Sequence, residues 1–230
     1  MSVSLESFET IYQRAAERKG GEKSLESLLS KPLSQKQLLK LTDAKILSEM
    51  TKKVFQSGFV WRVVQNKWPS FEEVFFNFDI EKLLMMPPDM VERKATDKRI
   101  IRNLTKVKSI QNNALMINEI TKEHGSFVSW LANWPVDNMI GLWEELKKRG
   151  DRLGGNTGPY ALRAIGKDTF LLTRDVEAYF RNHQIIDGGL RSKKSLKTIQ
   201  NSFNQWHQTS GRSMQELSML VSFGVGENRV

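Results

Sequence analysis

Cysteine is absent from this chain of 230 residues, and histidine occurs only three times, as His124, His183 and His207. Without cysteine the chain has no disulfide, no thiol nucleophile, no iron–sulfur cluster and no thiolate zinc site. The three histidines do not stand at the short spacings typical of metal ligands. We therefore predict a protein that works without a metal and without a small-molecule cofactor.

Long apolar runs are also missing. No stretch of about 18 apolar residues occurs, so the sequence predicts no transmembrane helix. The first residues, 1–6, lack the charged and then apolar pattern of a secretory signal. No heptad or exposed apolar repeat indicates an obligate dimer. We therefore expect a soluble, cytoplasmic monomer without a membrane partner, associated with the nucleoid if its source is bacterial.

Acidic residues are fewer than basic ones, 26 against 35, which gives a net charge of +9 and an isoelectric point near 9.7. This balance favours a polyanionic partner, either a nucleic acid or an anionic membrane surface. Two clusters of basic residues could contact phosphates, although such clusters are commonly just solvated helix faces. They are Lys98, Arg99, Arg102, Lys106 and Lys108, and then Arg191, Lys193, Lys194 and Lys197.

The alternation typical of strands is nearly absent, with Thr169–Leu172 as the only short β-like run. Apolar residues instead recur at helical spacing over most of the chain. The clearest helical segments are residues 4–18, residues 42–64 with an interruption at Gly58, residues 106–124, and residues 135–149. The sequence therefore predicts an all-α fold.

The most informative segment is a glycine-rich turn between two helices, with Gly154, Gly155 and Gly158 inside five residues. Glycines allow close approach of the backbone, and free N–H groups at the start of a helix bind anions. The surrounding basic residues indicate phosphates of a polymer as the anion: Lys147, Lys148, Arg149, Arg152 and Arg163. An ordinary connection between two helices with a glycine C-cap is the alternative.

Several segments in the same order resemble the DNA-3-methyladenine glycosylase I group of the helix-hairpin-helix DNA glycosylase superfamily. The resemblance covers about residues 40–215, and its segments are residues 55–61, 97–103, 106–114, the glycine hairpin and residues 166–175. It implies a compact, two-lobed helical body. We predict one domain over residues 1–230, with residues 1–30 as an N-terminal helical extension and residues 142–180 holding the hairpin and an active-site aspartate.

The resemblance implies double-stranded DNA with a damaged base as the partner. A glycosylase turns its target base out of the duplex. Asp175 would be the catalytic carboxylate that stabilises positive charge developing on the sugar. A helix N-cap or a first-turn acid is the alternative for Asp175. The hairpin would grip the DNA backbone through N–H groups and one side chain, from Gly155, Asn156, Thr157, Gly158 and Arg152.

Two aromatic residues are candidates for contact with the bases. The face of Trp61 would stack on the flipped base, and it would attract a cationic alkylated purine more strongly. Phe59, beside the interruption at Gly58, would be the wedge that fills the gap in the duplex. Both residues also fit a buried helix face, since Phe55, Phe59 and Val63 lie four residues apart. We assign Tyr160 to the core.

This chain also departs from the group it resembles. The group has a zinc site with cysteine and histidine ligands, which this sequence cannot form. The group's base-reading glutamate is replaced by Lys52-Lys53, and Glu49 is the nearest carboxylate. The predicted base pocket is therefore Trp61, Glu49 and Lys53. An amine near an abasic sugar could form a Schiff base, and a solvated helix charge is the alternative for both lysines.

We therefore predict a monofunctional DNA glycosylase of base-excision repair. It would hydrolyse the N-glycosyl bond of an alkylated or otherwise damaged purine, as the resemblance to 3-methyladenine glycosylases implies. One alternative is a protein of the same fold that binds damaged or bent DNA without cleaving it. A second alternative is a helical nucleic-acid-binding or scaffolding protein whose hairpin only contacts the backbone.

Overall fold

The computed structural model describes residues 5–226, and this part of the chain is all-α, without a strand. The β-like run Thr169–Leu172 is an extended connection. None of the described helices is long and apolar enough to cross a membrane. The helices are α1 Phe8–Arg18, α2 Glu22–Leu28, α3 Gln35–Leu38, α4 Asp43–Gln56, α5 Trp61–Asn66, α6 Trp68–Val74, α7 Ile80–Leu84, α8 Pro88–Ala95, α9 Leu104–His124, α10 Phe127–Asn133, α11 Met139–Arg149, α12 Thr157–Ile165, α13 Arg174–Asn182, α14 Lys193–Ser210 and α15 Met214–Phe223.

The break predicted at Gly58 is present, and it separates α4 from α5. The α4 helix begins at the Thr42 cap, whose side chain accepts a hydrogen bond from the Lys45 N–H, and ends at Gln56. Gly58 has φ +79°, a left-handed conformation that glycine adopts without steric cost. The segment 57–60 therefore leaves the helical path and carries Trp61 to the start of the next helix.

The described chain divides into two compact units. One unit, the hairpin unit, contains residues 33–134 and 141–167; the other, the terminal unit, contains residues 5–32, 135–140 and 168–226. The predicted extension 1–30 is part of the terminal unit together with the last helices. The predicted region 142–180 is divided between the units, since the hairpin belongs to one and Asp175 to the other.

The hairpin unit has a core in which α4 packs against α9 and α12. Ile46, Met50, Ile110 and Leu162 are buried on these helices. An aromatic cluster extends the core, with the Trp68 ring stacked on Phe71 at 4.9 Å between centroids. Burial of such side chains supplies most of the stabilisation of a small helical unit. This packing holds the end of α4 and the start of α12 in one place.

In the terminal unit, α1, α13 and α14 pack against α15. Tyr179 and Trp206 are buried there, and both donate hydrogen bonds to Glu6, at 2.8 Å to its Oε2 and 2.9 Å to its backbone oxygen. Burial and the hydrogen bond to Glu6 raise the pKa of the Tyr179 hydroxyl well above its usual value. The N-terminal segment is therefore tied to the last helices of this unit.

Candidate functional site

A pocket of about 210 Å³ opens where the end of α4 and the start of α5 meet the hairpin. Its wall contains two of the predicted base-pocket residues, Lys53 and Trp61. It also contains two of the predicted backbone-binding residues, Asn156 and Thr157. Its lining is Lys53, Gln56, Ser57, Gly58, Trp61, Asn156, Thr157 and Tyr160. The fold therefore brings together side chains that are about 100 residues apart in the sequence.

Trp61 and Tyr160 form the aromatic part of the pocket. Their ring centroids are 6.1 Å apart and the rings are nearly perpendicular, at 85°. Trp61 is 53% exposed, so its assignment to a buried face is excluded. Our assignment of Tyr160 to the core was wrong, since it is half-exposed and lines the pocket. Its position one turn after Asn156 on α12 was the available signal, because residues four apart share a helix face.

The Lys53 ammonium sits inside this pocket. Its Nζ donates a hydrogen bond to Gln56 Oε1 at 2.9 Å and lies over the Trp61 ring, 4.7 Å from the centroid. Burial lowers the pKa of Lys53, because desolvation disfavours the charged amine. Lys53 is half-buried, so it is not simply a solvated charge on the helix surface.

Glu49 and Lys52 are not among the residues that line the pocket. The Glu49 carboxylate accepts hydrogen bonds from Lys45 at 2.7 Å and from Lys52 at 3.2 Å. Burial pushes the pKa of Glu49 upward, but these two lysines outweigh it and the pKa is lower than usual. The Lys52 Nζ also lies over the Trp68 ring. The structure thus brings Lys53 and Trp61 together without Glu49.

The hairpin loop is shaped by glycine where no side chain fits. A Cβ on Gly158 would lie 2.5 Å from the backbone oxygen of Leu153, closer than any real contact. That same oxygen accepts a hydrogen bond from the Gly158 N–H at 3.1 Å, and the Thr157 N–H donates to the Gly154 oxygen at 3.2 Å. The prediction that both N–H groups point outward was therefore wrong, because they close the loop itself.

Outward-facing groups of the loop are fewer than predicted. Gly155 and Asn156 are exposed at the tip, and Gly155 has φ +63°. Arg152 is exposed as well and is also left-handed, with φ +60°. This backbone conformation is strained for a residue with a large side chain, so the surrounding loop must hold Arg152 in it. Gly155 and the Arg152 side chain are thus exposed at the surface of the loop.

The hairpin is braced against α9 by two neighbouring asparagines. The buried Asn113 side chain accepts from the Asp151 N–H at 2.8 Å and donates to the Asp151 oxygen at 3.1 Å. The exposed Asn112 donates to Asp151 Oδ2 at 2.8 Å. Arg149 is used in the same brace, since it pairs with Glu123 at 2.6 Å. Arg149 therefore holds α11 to α9, in contrast to the phosphate contact we had expected of it.

We expect Asn113→Ala to destabilise the protein by about 2–3 kcal/mol, because two partly buried backbone groups of Asp151 lose a fully buried partner. Asn112→Ala is the matched control, and it should cost about 0.5 kcal/mol, since an exposed hydrogen bond is easily replaced by water. Urea unfolding of both variants measures the difference. If both variants lost the same free energy of unfolding, the hydrogen bonds of Asn113 would stabilise the fold no more than the exposed one of Asn112.

A second cavity, of about 250 Å³, lies beside the pocket and shares Ser57 and Thr157 with it. Its wall also contains Lys106, Arg152 and Gly154. The buried Lys106 donates to the backbone oxygens of Phe55 at 3.2 Å and Ser57 at 2.5 Å, which satisfies carbonyls left unpaired at the end of α4. Burial, and then the charge of Arg152, lower the pKa of Lys106.

Phe59 is placed at the surface by the same lysine. Its ring is 40% exposed and lies 4.6 Å from the Lys106 Nζ, a cation–π arrangement. A buried position for Phe59, the alternative left open by its spacing, is excluded. Val60 and Val63, 67% and 45% exposed, extend an apolar surface around it. The segment after α4 therefore presents apolar side chains outward, as a wedge would require.

Asp175 lies in the terminal unit, in the first turn of α13. Thr173 is the helix cap, and its side chain accepts from the Val176 N–H at 3.2 Å. Asp175 is half-buried, and its Oδ2 accepts from the Ser222 hydroxyl at 3.2 Å. The capping function therefore belongs to Thr173, which leaves a catalytic or a first-turn electrostatic role for Asp175.

Three residues of the two predicted basic clusters have acidic partners close by. Arg99 pairs with Asp97 and Glu73, at 2.8 Å and 2.6 Å. Lys108 pairs with Glu92 at 3.6 Å, and Lys194 pairs with Asp187 at 3.3 Å. These contacts are typical of solvated surface pairs, which contribute little to stability. The cavity beside the pocket brings one member of these clusters, Lys106, near the hairpin residue Arg152.

Comparison with known proteins identifies the fold and a family match over part of the chain. Residues 38–150 match the methyladenine glycosylase family. The chain is similar to the 3-methyladenine DNA glycosylase I from Staphylococcus aureus, at 21% identity and a TM-score of 0.50, over 68% of this chain and 92% of that one. It is equally similar to a variant of 3-methyladenine DNA glycosylase I bound to 3-methyladenine, at 21% identity and a TM-score of 0.51, over 64% and 86%.

The all-α fold, with its glycine hairpin beside an aromatic pocket, is shared with the solved structures of 3-methyladenine DNA glycosylase I. Within this fold, residues 38–150 match the methyladenine glycosylase family, and the chain differs from the group it resembles in having no cysteine. The family match supports a DNA glycosylase of base-excision repair.

Proposed function

We propose that this glycosylase removes a damaged purine from double-stranded DNA after turning it into the pocket between Lys53, Trp61 and Tyr160. The observation that carries the proposal is the pocket itself, which joins exposed aromatic rings to the tip of the hairpin. A base in this pocket would stack on Trp61, and its sugar-phosphate would lie toward the loop. Stacking on an aromatic face and backbone contacts are the usual means of holding a flipped base.

The neighbouring cavity would take a phosphate next to the flipped nucleotide. Arg152 is exposed at its edge, and the Lys106 ammonium adds positive charge although it already binds two carbonyl oxygens. Phe59 would enter the duplex where the base has left, since its ring is exposed in the segment that precedes Trp61. In this proposal Asp175 stabilises the positive charge that develops on the sugar as the base departs.

Release of free bases tests the proposed function. Genomic DNA is treated separately with an alkylating agent, an oxidant and nitrous acid, and then incubated with the protein. The released bases are separated by chromatography and identified by mass spectrometry. The proposal requires at least one damaged purine to be released from one of the three samples. Binding of damaged duplex without release of any base would instead identify a sensor of the same fold.

We expect Trp61→Ala to slow base release by about tenfold to a hundredfold, because loss of base–aromatic stacking costs roughly 1–3 kcal/mol. Trp61 is more than half exposed, so the melting temperature should change little. Trp61→Phe is the matched control, and it should retain most of the activity because a stacking face is kept. If Trp61→Ala released bases at an unchanged rate, Trp61 would not be part of the base-binding site.

A further inference from the structure

The charge inside the base pocket indicates which bases can enter it. Among the eight lining residues, Lys53 is the only charged side chain, and the wall contains no carboxylate. The nearest carboxylate described on the same helix, Glu49, is already bound by Lys45 and Lys52. A base that binds here therefore meets a positive charge that no acid in the pocket wall balances.

The Trp61 ring is already in contact with that charge. A cationic alkylated base would be attracted to the face of the Trp61 ring. The Lys53 Nζ, 4.7 Å from the ring centroid, already makes this cation–π interaction. A second cation on the same ring would also stand within several ångströms of the ammonium, where repulsion in a partly desolvated site is strong. Lys53 therefore disfavours the cationic purines that Trp61 alone would attract.

The polar groups of the pocket include several hydrogen-bond donors, from the Lys53 ammonium, the Gln56 amide and hydroxyls that can also accept. Gln56 Oε1 accepts from Lys53, so the Gln56 amide group directs its NH₂ donors elsewhere. The hydroxyls of Ser57, Thr157 and Tyr160 make no hydrogen bond within residues 5–226. The ammonium itself has further donors beyond the one that Gln56 takes. Such a wall complements a base edge that carries oxygen acceptors.

We infer that Lys53 is a specificity-determining residue, which makes this pocket select neutral damaged bases with carbonyl oxygens and disfavour cationic alkylated ones. Oxidised and deaminated purines belong to the selected class, since both carry additional carbonyl groups. This inference rests on the proposed function, because it concerns the substrate of the same pocket. It departs from the substrate implied by the family alone.

Single-turnover excision from defined duplexes tests the inference. The duplexes carry hypoxanthine, 8-oxoguanine or 7-methylguanine, and the last of these is cationic as a nucleoside. We expect at least one of the two neutral carbonyl-bearing bases to be released at least about tenfold faster than 7-methylguanine. Lys53→Glu should lower that preference by about tenfold or more, because it places a negative charge beside Trp61.

Lys45→Gln is the matched control, since it removes a positive charge from the same helix outside the pocket. Its preference should equal that of the unchanged protein, and thermal melting checks that each variant is folded. Faster release of 7-methylguanine by the unchanged protein, or no change in preference for Lys53→Glu, overturns the inference and leaves the proposed function standing. Release of no base from any duplex or any treated DNA overturns both.

Discussion

Asp175→Asn is expected to reduce base release by about a hundredfold or more, because it removes the negative charge that would stabilise the transition state at the sugar. The asparagine has the same shape and can still accept from the Ser222 hydroxyl, so the helix should keep its fold. Thr173, and not Asp175, caps this helix, which removes the main structural reason for a loss of stability. Single-turnover rates on the best substrate measure the effect.

Glu177→Gln provides the matched control for this variant. It neutralises a second acid in the same turn of α13, where Glu177 pairs with Arg181 at 2.7 Å. We expect its base release to stay within about twofold of the unchanged protein, since exposed helix pairs contribute little. Binding of Asp175→Asn to a duplex with an abasic analogue should also be unchanged. If Asp175→Asn kept full activity, Asp175 would have no catalytic role and would act only as an acid in the first turn of α13.

Gly158→Ala is expected to destabilise the hairpin unit by about 2–3 kcal/mol, because the new Cβ would lie 2.5 Å from the Leu153 oxygen. That oxygen belongs to the backbone and accepts the hydrogen bond from Gly158 itself, so it cannot move without opening the loop. For a protein of this size the melting temperature should fall by about 5–10 °C. Affinity for duplex DNA should fall together with it.

Gly154→Ala is the control in the same loop. A Cβ at Gly154 would meet only the flexible side chain of Lys147, at 3.3 Å, and its backbone is not left-handed. We expect its melting temperature and DNA affinity to stay close to those of the unchanged protein. If Gly158→Ala were as stable as Gly154→Ala, the close approach at Leu153 could not be what shapes the hairpin.

The order of elements in the hairpin unit followed from local signals. Helical periodicity predicted α9 and α11 to within a few residues, and Gly125 ends α9 as expected. The glycine at position 58 predicted the break before Trp61, and the three glycines of the loop predicted the hairpin. These features depend on a few neighbouring residues, so the sequence carries them directly.

The sequence by itself therefore determined the all-α class, the hairpin, the absence of thiol ligands and the segment that carries the exposed aromatics. Only the tertiary structure decided that Lys53 lies over Trp61, that Tyr160 lines the pocket, and that Glu49 is bound by two lysines. It also decided that the Thr157 and Gly158 N–H groups close the loop. The physical reason is that helical spacing shows which residues share a face, whereas the packing of α4 against α12 determines what that face meets.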